Sequence, residues 1–364
     1  MDPFRVLIRL ESRHNGANEH GICKVKIMVI WRSRSIWRGR FKCAESQTRV
    51  IPFARRASAA GALILGISAI TANAPSRLWL SELVSNLAVP LGLFGLAVTI
   101  AAIVCRARPA GLIAIGASAG LLWPMGAGFA PRRLIPFNSE APSLSIVVAN
   151  VYALNPQPDR LLELLAAQSA DVVVLTEPPP PIMRALSGNH TALTESATLL
   201  RSPPRRGEHA WLVVLSRFPA ELVEDPSDGV LACDLETPLG PIRFVACHVI
   251  SPRSLGRYKR ASAQLERVAA LAQADGRAVV IAGDFNAVPT ARSQQRLALR
   301  TNTRRAAPLW RAGTFPARWP SLLRLHLDGA LVSESLGVVG WESIELPGSD
   351  HLGVRIVLQK RTSP

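Results

Sequence analysis

The sequence predicts an α/β sandwich of two packed sheets standing behind a membrane segment of three helices. Three observations carry this. From Ser143 onward short apolar runs alternate with few amphipathic helices, which suits packed sheets better than a doubly wound parallel sheet. Between residues 57 and 130 three long, nearly uncharged stretches follow one another. The chain's +16 charge and 48% hydrophobic content separate by segment: residues 1–56 hold thirteen Lys/Arg against four Asp/Glu, and much of the apolar excess falls in 57–130. A length of 364 residues suits two domains.

Residues 1–56 form a basic tail carrying Trp31-Arg32 and Trp37-Arg38 without clear periodicity. They read as a disordered arm drawn to anionic lipid, or as an over-extended start with Met28 as a later initiator. The membrane domain, 57–130, follows. Ser58–Ala74 has no charge over seventeen residues, just enough to cross a bilayer. Residues 83–105 are apolar apart from Ser85, Asn86 and Thr99, with Pro90 as a kink, and 109–130 are uncharged throughout. A buried core hairpin, or a signal peptide with core helices, is the plain alternative. Arg49, Arg55 and Arg56 precede the first stretch, and Arg106 and Arg108 separate the second from the third. Arg77 is the one basic residue between the first and second, and Arg132 and Arg133 pull the other way. The balance places the N-terminus in the cytoplasm and the C-terminal domain outside, as in a multi-pass protein of a bacterial inner membrane.

A Pro/Arg-rich linker, 131–142, leads to the catalytic domain, 143–358. Strands are expected at 143–151, 171–176, 210–215, 230–235, 242–249, 278–282, 327–332 and 352–358, and helices at 159–169 and 255–274. Polar residues end or closely follow these strands: Asn150, Glu177, His248, Asp284, Asn286, Asp328, Asp350 and His351. One Asp after a strand is usually a turn former. Eight such positions with carboxylate, amide and imidazole chemistry point instead to a shared cleft on a rigid scaffold.

Hard oxygen ligands such as Glu177 and Asp350, with an Asn carbonyl, suit Mg²⁺ or Mn²⁺. Such an ion polarises a phosphoryl oxygen, a carboxylate activates water, and imidazoles donate to phosphate oxygens or to the leaving group. The five cysteines are scattered without CxxC or zinc-ligand spacing, and Cys233 and Cys247 read as buried thiols on one hairpin.

The blocks Val148-Ala149-Asn150, Val174-Leu175-Thr176-Glu177-Pro178, Leu215-Ser216-Arg217-Phe218-Pro219, Cys247-His248, Ile281-Ala282-Gly283-Asp284-Phe285-Asn286, Leu327-Asp328 and Gly348-Ser349-Asp350-His351 resemble the endonuclease/exonuclease/phosphatase superfamily, in its order, over about 143–358. The resemblance implies a four-layer α/β sandwich. It implies Glu177 as the principal metal ligand, with Asn150 and Asp350 near the same ion. It makes Asp284 the group that orients or deprotonates water and Asn286 a contact to the scissile phosphate. His351, held by Asp328, would stabilise the transition state or act as base, and His248 would contact phosphate or assist the leaving group. The family often has Asp-His where this chain has Asp328-Gly329, so contacts from the second residue are lost.

Arg253, Arg257, Lys259 and Arg260 follow His248, and Arg253 and Arg257 are candidate substrate-binding residues. Arg292, Arg296, Arg300, Arg304, Arg305, Arg311, Arg318 and Arg324 follow the GDFN block, interleaved with Trp310, Phe315 and Trp319. Such a surface suits a nucleic acid backbone or anionic headgroups, and a solvated arginine-rich helix is the plain alternative. The expected partners are a phosphoester, DNA or RNA first, and the lipid bilayer; no protein partner is inferred. A nuclease is the leading reading. A hydrolase of phospholipid headgroups or small phosphoesters, which needs a pocket rather than an open groove, is the alternative, and a silent binding scaffold comes third.

Overall fold

The computed structural model describes residues 5–12, 23–30, 47–74, 79–126, 135–188, 191–195, 197–203, 211–273, 276–307 and 313–361. The tail's Trp31-Arg32 and Trp37-Arg38 pairs, Arg77, Arg132, Arg133, Trp310, Arg311 and the first four residues of the linker, 131–134, lie outside these residues. Residues 1–50 are a unit of their own. Among the described residues of this unit, strand β1 (Arg5–Ser12) pairs antiparallel with β2 (Cys23–Ile30). The apolar residues Val6, Leu7, Ile8 and Leu10 and the run Val25, Ile27, Val29, Ile30 favour that extended state.

The second unit, 51–364, begins with four helices: α1 (Gln47–Asn73), α2 (Trp79–Asn86), α3 (Ala88–Val104) and α4 (Arg108–Gly126). Three continuous spans are not what forms. Among the described residues one helix, Pro52–Asn73 within α1, is by itself long and apolar enough to cross a membrane. The expected 83–105 span is broken: α2 and α3 meet at a bend of 65° at Leu87. Pro90 supplies the reason, since it has no N–H to give and its ring would strike the carbonyl of Asn86, four residues back.

The helices pack with small residues inside and large apolar ones outside. Ala62, Leu65, Ala102, Ala114, Ala117 and Leu121 are buried between them, whereas Leu63, Ile64, Ile67, Phe94, Ile100 and Leu112 face outward. A Cβ at Gly95 would sit 2.1 Å from the Ser118 hydroxyl, so α3 and α4 touch only because this position is glycine. Close contact through small residues is the habit of helices that gain nothing from burying leucine.

The sandwich follows, with strands β3 (Ser143–Asn150), β4 (Val172–Thr176), β5 (Thr198–Ser202), β6 (Leu212–Ser216), β7 (Ala220–Leu222), β8 (Val230–Thr237), β9 (Gly240–His248), β10 (Ala278–Asp284), β11 (Thr303–Arg305), β12 (Asp328–Ser333), β13 (Leu336–Glu345) and β14 (Leu352–Lys360). They form two six-stranded mixed sheets, ordered β13-β14-β3-β4-β6-β5 and β11-β12-β10-β9-β8-β7. Ile146, Val148, Val174 and Val214 of one sheet meet Phe244, Ala246, Val280 and Val332 of the other in the central core. Helices α5 (Pro158–Ala167) and α6 (Pro180–Ser187) cover the outer face of the first sheet. Helices α7 (Leu255–Leu271) and α8 (Arg292–Arg300) cover that of the second. Helix, sheet, sheet, helix is the expected layering. Strands β5, β7, β11 and β13 have no counterpart in the sequence reading. Cys233 and Cys247 are not disulfide-bonded and are buried on opposite faces of their sheet, so they do not meet.

Candidate active site

Parallel pairing brings the site together. In the first sheet Asn150 lies opposite Thr176, which sets Glu177 one residue beyond it. In the second sheet Asp284 pairs with His248 on one side and with Asp328 on the other, so three predicted residues share one row at the strand ends. Gly283 makes that row possible. Its φ is +148°, and a Cβ there would lie 1.8 Å from the carbonyl oxygen of Cys247. Just past the strands Glu177 and Asn286 adopt left-handed backbone, φ 57° and 47°, a conformation worth holding only where the surrounding bonds fix it. The Glu177 N–H donates to Trp211 O at 3.1 Å and the Asn286 N–H to Asp284 Oδ1 at 2.8 Å.

One hydrogen-bond network joins both sheets. Asn150 Nδ2 donates to Asp284 Oδ2 at 3.0 Å, and Asn286 Nδ2 donates to Val249 O at 2.9 Å and to Asp284 Oδ2 at 3.3 Å. His248 Nε2 stands 3.2 Å from Glu177 Oε1, and His351 Nδ1 stands 2.8 Å from Asp328 Oδ2. The His351 N–H donates to Ser349 Oγ, which donates onward to Asn150 O. Phe315 packs on the His351 ring with centroids 4.6 Å apart.

Burial and charge set the protonation states. Burial alone pushes the Glu177 carboxyl up, but His248 bonding and charge, with Asn150 and His351, hold it at about 2. Burial and the Asp328 charge push Asp284 up to about 6 against the pull of His351, His248 and the Asn286 N–H. Burial pulls the His351 imidazole down, yet the charge and bond of Asp328, then Asp284 and Asp350, lift it to about 10. At neutral pH the site holds an ionised Glu177 and a cationic His351.

The donor set fits a hard divalent cation. Glu177 stays ionised, keeps a partly exposed side chain, and shares a cavity of about 580 Å³ with Asp350. Asn150 is less free than expected, because its Oδ1 already accepts the Tyr152 N–H at 3.1 Å. Asp284, Asp328 and His351 also offer ligand atoms within 4.8 Å of one another. There the His351–Asp328 bond occupies one pair of those atoms.

The chain matches the model of the Endonuclease/Exonuclease/phosphatase family over residues 147–351, more than half its length. This chain belongs to that family. No curated protein matches it. Among solved structures it is similar to an endonuclease/exonuclease/phosphatase from Beutenbergia cavernae, at 21% identity over 61% of this chain and 73% of that one, with a TM-score of 0.44. It is also similar to the human Nocturnin catalytic domain, at 16% identity over 64% of this chain and 100% of that one, TM-score 0.46. A third is beta toxin from Staphylococcus aureus, at 16% over 58% and 99%, TM-score 0.43.

In this family member the cavity also takes residues that the sequence reading missed. Leu83, Asn86 and Leu87 line it from the helical region and Tyr152 from the sandwich, beside Phe315 and Leu327, which the sequence places near the cleft. No motif marks the helical residues, since their role depends on how α2 docks. Arg253 and Arg257 reach the rim, tied back to Ser251 by 3.3 and 3.0 Å bonds. The expected basic face is dispersed. Arg300 pairs with Glu266, Arg292 reaches Asn73, and Arg305 is buried. Burial pulls the Arg305 guanidinium down to about 9 despite the nearby Asp328 charge.

Proposed function

We propose that this protein is a divalent-metal-dependent phosphodiester hydrolase anchored in a membrane. The observation that carries the activity is the row His248–Asp284–Asp328, with Glu177 and His351 bonded to its two ends. When bound by Glu177 with Asp350 and Asn150, Mg²⁺ or Mn²⁺ supplies charge to a phosphoryl oxygen. Asp284 takes a proton from water as the water oxygen bonds to phosphorus. The bond from phosphorus to the leaving oxygen breaks with its electron pair on that oxygen, and His248 is placed to return a proton. His351, kept cationic by Asp328, neutralises charge on the non-bridging oxygens, and Asn286, whose two amide hydrogens go to Val249 O and Asp284 Oδ2, holds Asp284 in place beside the phosphate.

The anchoring rests on the inverted helix packing, with alanine inside and leucine and isoleucine outside. Arg55, Arg56, Arg106 and Arg108 lie at one end of the helices, and Asn73 and Asn86, which touch the sandwich, at the other. The basic end belongs in the cytoplasm and the sandwich outside. A periplasm-active reporter fused to the C-terminus should score, and a cytoplasm-active one should not.

The activity test uses the full chain in detergent with bis(p-nitrophenyl) phosphate and supercoiled plasmid, with and without Mg²⁺, beside Asp284→Ala. Metal-dependent turnover that the variant lacks supports the reading; equal turnover by both sinks it. Nucleic acid, the leading substrate in the sequence reading, is favoured by Arg253 and Arg257 at the cavity rim.

A further inference from the structure

Helix α2 carries its polarity the wrong way round for a helix docked on a soluble domain. The residues it buries are Ser81, Glu82 and Ser85, while Leu80, Leu83 and Leu87 at its end stay 54%, 37% and 41% exposed. Three polar anchors fix it to the sandwich. Trp79 Nε1 donates to Pro252 O at 2.7 Å, Asn86 Oδ1 accepts the Val288 N–H at 2.8 Å, and Glu82 accepts both the N–H and the hydroxyl of Ser293. Of these leucines, Leu83 and Leu87 line the catalytic cavity together with Glu177, Asp284 and His351.

The same side of the molecule is apolar further out. The short 3₁₀ turn Ser321–Leu323 lies against α3, and around it Trp319 and Leu322 are 53% and 77% exposed. The cavity therefore has a phosphate-chemistry floor, a hydrocarbon wall, and a rim continuous with helices that turn isoleucine and phenylalanine outward. A nucleic acid backbone asks for cations along its path. Here two of the three arginines of α8 are turned to Glu266 and Asn73, Arg253 and Arg257 are the arginines at the rim, and leucine lines the wall beside them.

We infer that the substrate is an amphiphilic phosphodiester drawn from the bilayer, its phosphate on the Asp284–His351 floor and its hydrocarbon along Leu83 and Leu87. This rests on the phosphodiesterase reading above. Helix α2 is then both part of the anchor and the wall that selects the substrate. Such a site gains affinity with every methylene it shields from water.

The test is a chain-length series on the full-length protein in detergent with Mg²⁺, using methyl, butyl and octyl p-nitrophenyl phosphodiesters and reading nitrophenolate release. kcat/KM should rise about tenfold or more from methyl to octyl, mainly through KM. In Leu83→Asn/Leu87→Asn the gain should fall below about threefold in the same micelles. If the wild type turns over the methyl ester but shows no gain with length, the inference falls and the phosphodiesterase reading stands. Plasmid cleaved with higher kcat/KM than the octyl ester also overturns it, in favour of nucleic acid. No turnover of any ester or plasmid removes both. The wild-type series decides by itself should the double variant fold poorly, which its melting midpoint reports.

Discussion

Replacing Asp328 by Asn isolates what the buried carboxylate does for His351. The two side chains meet at 2.8 Å, both almost fully buried, and the Asp328 charge is the chief force lifting the imidazole to about 10. An amide keeps the shape and removes the charge, so the imidazole should fall back toward its ordinary value near 6.5, with burial pulling it down and the Asp284 and Asp350 charges opposing that pull. At pH 8 the cationic fraction then falls from nearly all to about 3%, and kcat/KM should drop about thirtyfold. At pH 6 most of the cation survives, and the loss should be under about twofold. The assay is a pH–rate profile of both proteins between pH 6 and 9. A base role for His351 predicts the reverse, with the variant gaining as pH rises. An equal loss at both pH values refutes the cation argument. The linkage has a definite sign. His351 is raised on folding, so its contribution is full below 6.5 and is lost as pH climbs toward 10. The variant should lose that slope, and about 3 kcal/mol or more of stability, because Arg305 is left buried beside an uncharged amide.

Gly283→Ala forces a Cβ onto the Cys247 carbonyl and should cost about 3 kcal/mol or more, with activity abolished; denaturant unfolding and turnover check it. Glu177→Gln should weaken Mn²⁺ binding by at least about tenfold with little change in melting midpoint, read by electron paramagnetic resonance of free Mn²⁺. Burial and the Asp234 charge push the Cys233 thiol up to about 12, so a maleimide at pH 8 should leave it unlabelled until the protein unfolds, as mass spectrometry would show.

How much of this was legible in the sequence depends on range. Asn150, Glu177, His248 and Asp284 were readable because each closes or follows an apolar run, whereas Asp328 opens its strand, β12. That Asp284 sits between His248 and Asp328 was not readable, because register between distant strands is set by packing across both sheets. Arg305 illustrates the limit from the other side. In a list of arginines it looked like surface charge, and only the pairing of β11 with β12 shows it buried near Asp328. Hydropathy located the helices but missed their break, although Pro90 announced it.

Helix α2 is the case where sequence reading and structure diverge to most effect. Read as the start of a span, Leu83 and Leu87 are lipid-facing residues, and Glu82 is a flanking charge. In the fold Glu82 turns inward to Ser293, and with the Trp79 and Asn86 anchors it leaves Leu83 and Leu87 lining the catalytic cavity. An isolated carboxylate beside an apolar stretch would usually seek water. Buried and bonded to Ser293, it fixes which face of the helix the substrate meets. On the proposed reading, the position of helix α2, and not the catalytic motif, decides which phosphodiesters reach the site. Family members that share the row of Asp and His residues are free to differ in substrate through the segment that precedes the domain.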